Sequence, residues 1–346
     1  MGKPLNILIS GTNFWNPGDD FVRDGVVNVL RNLFDRNDIN FHFYNFNADF
    51  FPLNKFRGIS NLLFDGDFKY LKDYIDYIVI VSLSAGNEID ELYGWILENN
   101  LEDRVLLIGG GYDSNYAKVN LTKPQTKKIF QSARIIIGRT EKRPSYIDRH
   151  NLPYVHLPCP SLLSVKKVKI SNNRIGSVGM SIQIPKELGG IVNQWCDAKF
   201  YQLASDALLG LKQRPNTNVS VVAHHKYEYF HFLPIAKEYS FPILYSSFYE
   251  DLKETYRRFD LVISTRLHAC LFANANGIPS IILNDTGRHT HCIQNIPLTK
   301  FVDNPEDLQK EFKRIESSDL AEFAKTAQDF KDKLMEEYLL VLRNVV

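Results

Sequence analysis

Four cysteines in 346 residues, scattered at Cys159, Cys196, Cys270 and Cys292, leave no metal-ligand spacing to read. Thiols this sparse argue for reduced side chains in a cytoplasm and carry no chemistry by themselves. An excess of one charge is missing too: 41 Lys and Arg stand against 40 Asp and Glu, a formal net charge of +1. No bulk field therefore draws the chain to nucleic acid or an anionic membrane, and any basic patch is local. No stretch approaches the ~20 apolar residues of a membrane-spanning helix. The opening "MGKPLNILISGTNFW" lacks the apolar run of a signal peptide. Internal repeats and low-complexity tracts are absent as well. These absences predict a cytoplasmic protein with no transmembrane segment, and leave peripheral contact with a membrane surface open.

What is present is 44% hydrophobic residues, 23% charged residues and a large aromatic share, with 23 Phe and 17 Tyr. That is the composition of a soluble globular protein with large cores, some of whose aromatics could also stack on sugars. The length suits two domains of about 150 residues each. Short β-branched runs alternate with helical patterns. "LNILIS" (5–10), "INFHFYNF" (39–46), "YIVIVSL" (77–83), "RVLLIGGG" (104–111), "ARIIIGRT" (133–140) and "YVHLPCP" (154–160) read as strands. Several are apolar on both faces, as in a parallel sheet covered by helices. A second series follows at 174–182, 218–225, 241–247, 259–265 and 278–283, beyond a basic linker at 164–174. The pattern predicts an α/β protein: two Rossmann-like domains, 1–165 and 172–318, facing a cleft. An amphipathic helix at 319–346 is expected to pack back across their junction.

In such domains, ligands meet the carboxyl ends of the strands, where loops lead into helix N-termini. Four loops qualify. In "SGTNFWNPGDD", Asp19 or Asp20 is expected to cap a helix, which leaves the other Asp, Asn16 and Gly18 near any ligand. In "IGGGYDSNY", Gly110 and Gly111 either let backbone N–H groups approach a ligand or simply make a tight turn; no Walker Gly-Lys-Ser/Thr follows. In "GRTEKRP", Arg139 and Glu141 are either functional or part of a solvated rim.

The fourth loop, in "DLVISTRLHACLFANANGIPSIIL", carries the strongest signal. Ser264 or Thr265 can cap a helix running to about Asn276, which puts Arg266 and His268 in its first turn. A cation is unfavourable there, so Arg266 requires an anionic partner: a structural carboxylate or a bound phosphate or carboxylate. The strand-end position favours the ligand. His268 beside such an anion would hold its proton firmly, as a general acid does. His224 and His225 also end a strand and read first as wall residues.

With "NPGDD", the "GGG" turn, "GRTE" and above all the Arg-Leu-His helix followed by Gly-Ile-Pro, residues 7–283 resemble the polysaccharide pyruvyl transferase family. The resemblance implies a GT-B-like architecture and transfer of pyruvate from phosphoenolpyruvate to a sugar as a ketal, with no cofactor. It implies Arg266 as donor anchor and His268 as general acid. Asp19 then suits the proton acceptor for a sugar hydroxyl. Asn16, Gly18, Gly110, Gly111, Arg139, Glu141 and His224 complete the candidate substrate-binding set, together with Arg288. The partners implied are phosphoenolpyruvate and a sugar or lipid-linked oligosaccharide acceptor. Two departures concern the acceptor: "PCPS" (158–161) lacks an acidic residue before its proline, and "NDTGRHTH" (284–291) lacks a Tyr or Lys, where Arg288, His289 and His291 stand instead. A glycosyltransferase using a nucleotide sugar and a non-catalytic glycan- or nucleotide-binding relative remain as alternatives, since fold does not fix function.

Overall fold

The computed structural model describes residues 3–11, 17–34, 38–45, 62–63, 67–81, 90–111, 123–140, 145–169, 174–185, 188, 197–246, 249–283, 292 and 295–346. The chain divides into two compact units, Met1–Ser164 with Leu334–Val346, and Val165–Lys333. In the first unit, β1 (Leu5–Gly11), β2 (Ile39–Asn45), β3 (Leu62–Leu63), β4 (Tyr77–Val81), β5 (Val105–Gly110), β6 (Ile135–Gly138) and β7 (Tyr154–His156) form a parallel sheet. Its order is β3-β2-β1-β4-β5-β6-β7. The register sets Ile9 of β1 opposite Phe43 of β2 and Val79 of β4. The helices described in this unit are α1 (Pro17–Phe34), α2 (Asp90–Glu98), α3 (Pro124–Ser132) and α4 (Ser145–Arg149).

Strands apolar on both faces lie where the pattern requires. Ile7, Leu8 and Ile9 are fully buried in succession, as are Val105, Leu106 and Leu107. Phe21, Val22, Val26, Val29, Leu30 and Leu33 recur at helical spacing in α1, and all but the half-buried Leu33 are buried. The helix starts at Pro17, whose fixed φ and missing N–H suit a first helical position. Gly25 lets α1 press on a 310 turn at Pro160–Leu163, since a Cβ there would stand 1.7 Å from the Pro160 carbonyl oxygen.

The second unit holds β8 (Ser177–Ser181), β9 (Asn218–Ala223), β10 (Ile243–Tyr245), β11 (Leu261–Ser264), β12 (Ser280–Ile282) and β13 (Thr299–Phe301), all parallel, in the order β10-β9-β8-β11-β12-β13. Helices α5 (Ala198–Lys212), α6 (Lys226–Tyr239), α7 (Tyr249–Tyr256), α8 (Leu267–Ala275) and α9 (Pro305–Glu316) accompany them, followed by α10 (Leu320–Arg343). The last of these supplies residues to both units. In unit one, Tyr338 of α10 donates to the Pro158 carbonyl at 2.9 Å. In unit two, Lys331 of the same helix donates to the Ala275 carbonyl at 2.9 Å. Gly277 ends the α8 segment with φ +78°, a left-handed conformation that glycine adopts without a steric penalty.

Both sheets reverse their strand order once, between β1 and β4 in one and between β8 and β11 in the other. This is the doubly wound pattern, and crevices at the carboxyl ends of strands beside such a reversal are where these folds hold ligands. Two short strands were not legible: β3, and β13 with its sequence Thr-Lys-Phe. Among the described residues both lie on sheet edges, where a strand needs no continuous apolar run. Among the described residues, no helix is long and apolar enough to cross a membrane.

Candidate functional site

In the second unit, the loops after β8 and β11 are tied together at the point of reversal. The Ser264 hydroxyl donates to the Ser181 carbonyl at 2.7 Å, and the Thr265 N–H donates to the same oxygen at 3.1 Å. The Gln183 N–H returns a bond to Thr265 Oγ1 at 2.7 Å. These bonds fix where Arg266 leaves the sheet. Its own N–H donates to Ser264 Oγ at 2.8 Å, and its backbone is extended, with φ −106° and ψ 124°. The helix begins one residue later.

That corrects the expected capping. Arg266 is itself the N-cap residue of α8, outside the first turn, and the Ser264 hydroxyl serves the Arg266 amide. The anionic partner that its position demands is a carboxylate of the chain: Arg266 Nη2 donates to Glu228 Oε1. Glu228 is 1% exposed and its other oxygen accepts from the backbone N–H groups of His224 at 2.8 Å and His225 at 3.2 Å. His225 is the N-cap of α6, so Glu228 at the third helical position reaches back to the cap, as in a capping box. The structural carboxylate, one of the two partners the sequence left open, is therefore present. Arg266 Nε is buried and has no hydrogen-bond partner among the described residues.

Two histidines and two tyrosines complete this cluster. His224 is buried, and its Nε2 lies 2.6 Å from the Tyr256 hydroxyl of α7. The His225 ring stacks on Tyr227, with centroids 5.3 Å apart and planes at 9°. Burial, then the charge of Arg266, then His225 hold the His224 pKa well below the usual imidazole range. Burial and Arg266 push His225 down to about 4, against the opposing pull of Glu228. At neutral pH both rings are uncharged. Burial works against the Arg266 charge, but Glu228, Tyr227 and Tyr256 more than offset it and hold its proton more firmly than usual. Arg266 and Glu228 thus cancel, and the cluster is close to neutral.

His268 follows in the first turn of α8. Every other residue of that helix, Leu267 and Ala269 to Ala275, is buried, whereas His268 is half-buried. Packing accounts for the rest of the helix, and it accounts least for this imidazole.

The first unit gathers a second group. The carboxyl ends of β5 and β6 bring Gly110, Gly111 and Arg139 together: the Arg139 N–H donates to the Gly110 carbonyl at 3.0 Å, and a Cβ on Gly111 would stand 3.3 Å from Arg139 Nε. Arg139 is 2% exposed, which overturns the solvated-rim alternative, and its Nη1 lies 3.9 Å from Cys159 Sγ. Gly18 is buried and Asp19 half-buried in the first turn of α1. The expected Asp cap is corrected here: Pro17 already begins the helix, and Asp20 instead holds Arg23 of the next turn at 2.5 Å. Asn16, Glu141 and Arg288 lie outside the described residues. No group of three or more His, Cys, Asp or Glu side chains is placed to hold a metal ion among the described residues. Glu228, Tyr227 and Tyr256 were missed in the sequence, although the spacing of "HHKYE" carried a capping-box signal for Glu228.

The sequence profile of the polysaccharide pyruvyl transferases matches residues 16–286, which take in every candidate residue except Arg288. The chain belongs to the polysaccharide pyruvyl transferase family. None of the curated proteins compared matches it. Among solved structures, a UDP-GlcNAc 2-epimerase from Methanocaldococcus jannaschii in complex with UDP-GlcNAc and UDP superposes with a TM-score of 0.54 at 13% identity, over 96% of this chain and 100% of its own. The UDP-GlcNAc 2-epimerase of Neisseria meningitidis bound to UDP-GlcNAc gives 0.57 at 12%, over 98% and 100%. Anabaena Alr3699/HepE, in complex with UDP and glucose, gives 0.56 at 11%, over 98% of each chain. At these identities the likeness establishes the fold alone, two Rossmann-like domains of the GT-B class. In this pyruvyl transferase family member, the Arg-Leu-His segment lies within the matched residues and sits at the strand-order reversal of the second sheet.

Proposed function

We propose that this protein transfers the pyruvyl group of phosphoenolpyruvate to two hydroxyls of one sugar, as a ketal, on a cell-surface polysaccharide or its lipid-linked precursor. The observation that carries the reading is His268: the one half-buried residue of an otherwise buried helix, two residues after a strand-end arginine, in a chain of this family.

The chemistry follows from the donor. Protonation of its methylene carbon leaves a cationic centre at the neighbouring carbon. Two sugar oxygens bond to that centre in turn, and the bond to the phosphate oxygen breaks. One hydroxyl proton balances the new methyl group and the other leaves with phosphate, so no electrons are transferred and no cofactor is required. His268 is the general acid in this scheme. The remaining donors of Arg266 stabilise charge on the departing phosphate. Because Glu228 already neutralises Arg266, the donor's carboxylate needs a further cation, for which Arg288 is the candidate. Asp19 is the base for the acceptor hydroxyl, with Asn16, Gly18, Gly110, Gly111 and Glu141 on the acceptor side and His224 as a wall of the donor site. Phosphoenolpyruvate is a cytoplasmic metabolite, so the reaction belongs in the cytoplasm, with a lipid-linked acceptor reached at the membrane surface.

Ligand-dependent stabilisation separates this from the alternatives. Phosphoenolpyruvate is expected to raise the melting temperature and, with a panel of methyl hexopyranosides, to release inorganic phosphate. Stabilisation by UDP-GlcNAc without any effect of phosphoenolpyruvate would favour a nucleotide-sugar enzyme. Glycan binding with no turnover of either donor would favour a non-catalytic relative.

A further inference from the structure

Glu228 is the most constrained charged group of the candidate site, and neither the family match nor the scheme above gives it a task. Its carboxylate is 1% exposed and has three partners on three different residues. Oε2 takes the backbone N–H groups of His224 and His225, which belong to the end of β9 and the cap of α6. Oε1 takes Arg266 Nη2, from the cap of α8. One side chain thus links the starts of two helices.

A purely structural pairing would be better served by an apolar contact, because burying two charges costs roughly what their attraction returns. The arrangement also leaves Arg266 incompletely used. Its Nε is buried and has no partner among the described residues, although a buried donor without a partner costs about 1–3 kcal/mol. A guanidinium is a rigid planar fork, so holding Nη2 fixes the direction of every other N–H.

We propose that Glu228 is a positioning residue: by gripping one edge of Arg266 from a carboxylate anchored on backbone amides, it aims the remaining guanidinium donors at an anion at the β8–β11 reversal. The proposal rests on the pyruvyl-transfer reading for the identity of that anion, the phosphate of phosphoenolpyruvate. It also sets the sign of the effect. Glu228 opposes ground-state attraction of the anion, because it cancels the Arg266 charge, and it serves the transition state, where the direction of the donors matters.

Glu228→Gln keeps an oxygen that can accept from the His224 and His225 amides but removes the charge and turns an amide toward Arg266. In steady-state assays with phosphoenolpyruvate, kcat is expected to fall about tenfold or more, with KM for phosphoenolpyruvate unchanged or lower. Added to Arg266→Gln, Glu228→Gln should cause no further loss of kcat, because the residue it acts through is already gone. A kcat per folded molecule within about twofold of wild type, or an undiminished further loss in the Arg266→Gln background, overturns the proposal. A second readout does not depend on turnover. The Arg266 Nε–H resonance, identified by its disappearance in Arg266→Gln, should move when phosphoenolpyruvate is added to wild type and should broaden or exchange rapidly in Glu228→Gln. An Nε–H signal unaffected by Glu228→Gln overturns the positioning role. A wild-type protein that shows this signature without releasing phosphate would refute the pyruvyl-transfer reading and leave the positioning role supported.

Discussion

Lys331 offers a quantitative test of how α10 is joined to α8. Lys331 is 4% exposed, and its ammonium donates to the carbonyl of Ala275, the last residue of α8, at 2.9 Å. A cation at a helix C-terminus is favourable, yet burial dominates and lowers the Lys331 pKa from 10.5 to about 8, with only Asp332 pulling the other way. A folded-state pKa below the unfolded one means that the native state carries fewer protons between those two values. Stability therefore rises with pH across that window, and the penalty for the buried charge is fully present below about pH 8. The gap between 10.5 and about 8, at roughly 1.4 kcal/mol per pH unit, makes the penalty about 3 kcal/mol. The assay is urea unfolding of wild type and Lys331→Met at pH 8 and at pH 10.5. Titration of the other lysines and the tyrosines is common to both proteins and cancels in the comparison. Wild type should gain on the order of 3 kcal/mol relative to Lys331→Met over this range. Parallel profiles for the two proteins would refute the reasoning and place the Lys331 ammonium in water.

Three further outcomes are expected. Gly25→Ala sets a Cβ 1.7 Å from the Pro160 carbonyl oxygen, backbone against side chain with no flexible atom to yield, and should cost about 3 kcal/mol or more in a thermal melt; near-native stability would mean that α1 is not seated on that turn. Arg266→Ala leaves the buried Glu228 carboxylate without its counter-charge, so it should lower stability by about 3–5 kcal/mol as well as weaken phosphoenolpyruvate binding, and a variant as stable as wild type would deny the ion pair. His268→Asn keeps the size of the side chain and a hydrogen-bonding group but removes the proposed acid. Its kcat should fall about a hundredfold or more with much less change in phosphoenolpyruvate affinity, and near-normal turnover would assign His268 to packing.

The alternation of apolar strands and amphipathic helices made the two-sheet α/β architecture legible, because strands covered on both faces have nowhere to hide polar residues. Ile7 to Ile9 and Val105 to Leu107 show that signal at its clearest. The edge strand Thr299–Phe301 escaped because, among the described residues, it pairs on one side only and none of its side chains is fully buried. The Arg266–His268 segment stood out from local rules alone, since it combines a strand end, a helix start and a Gly-Pro stop. What local rules could not reach was partnership at a distance. Glu228 lies 38 residues before Arg266, and only the adjacency of β9, β8 and β11 brings their loops together. The same limit explains Arg139: a charged residue at a strand end reads as rim, while its burial depends on Gly111 and on Cys159, 20 residues further along. The helix starts were shifted for a more local reason. Pro17 opens α1 ahead of Asp19 and Asp20, and Arg266 takes the cap position that the sequence rules give to Ser or Thr.

The central claim, pyruvyl transfer from phosphoenolpyruvate to a sugar, is tested most directly by isotope. The wild-type protein is incubated with carbon-13-labelled phosphoenolpyruvate and methyl hexopyranosides carrying free neighbouring hydroxyls, and the products are followed by NMR. The account predicts a labelled methyl group on a quaternary ketal carbon bonded to the sugar, formed in equal amount with inorganic phosphate and absent with His268→Asn. Label that remains in phosphoenolpyruvate while UDP-GlcNAc is consumed under the same conditions would contradict it.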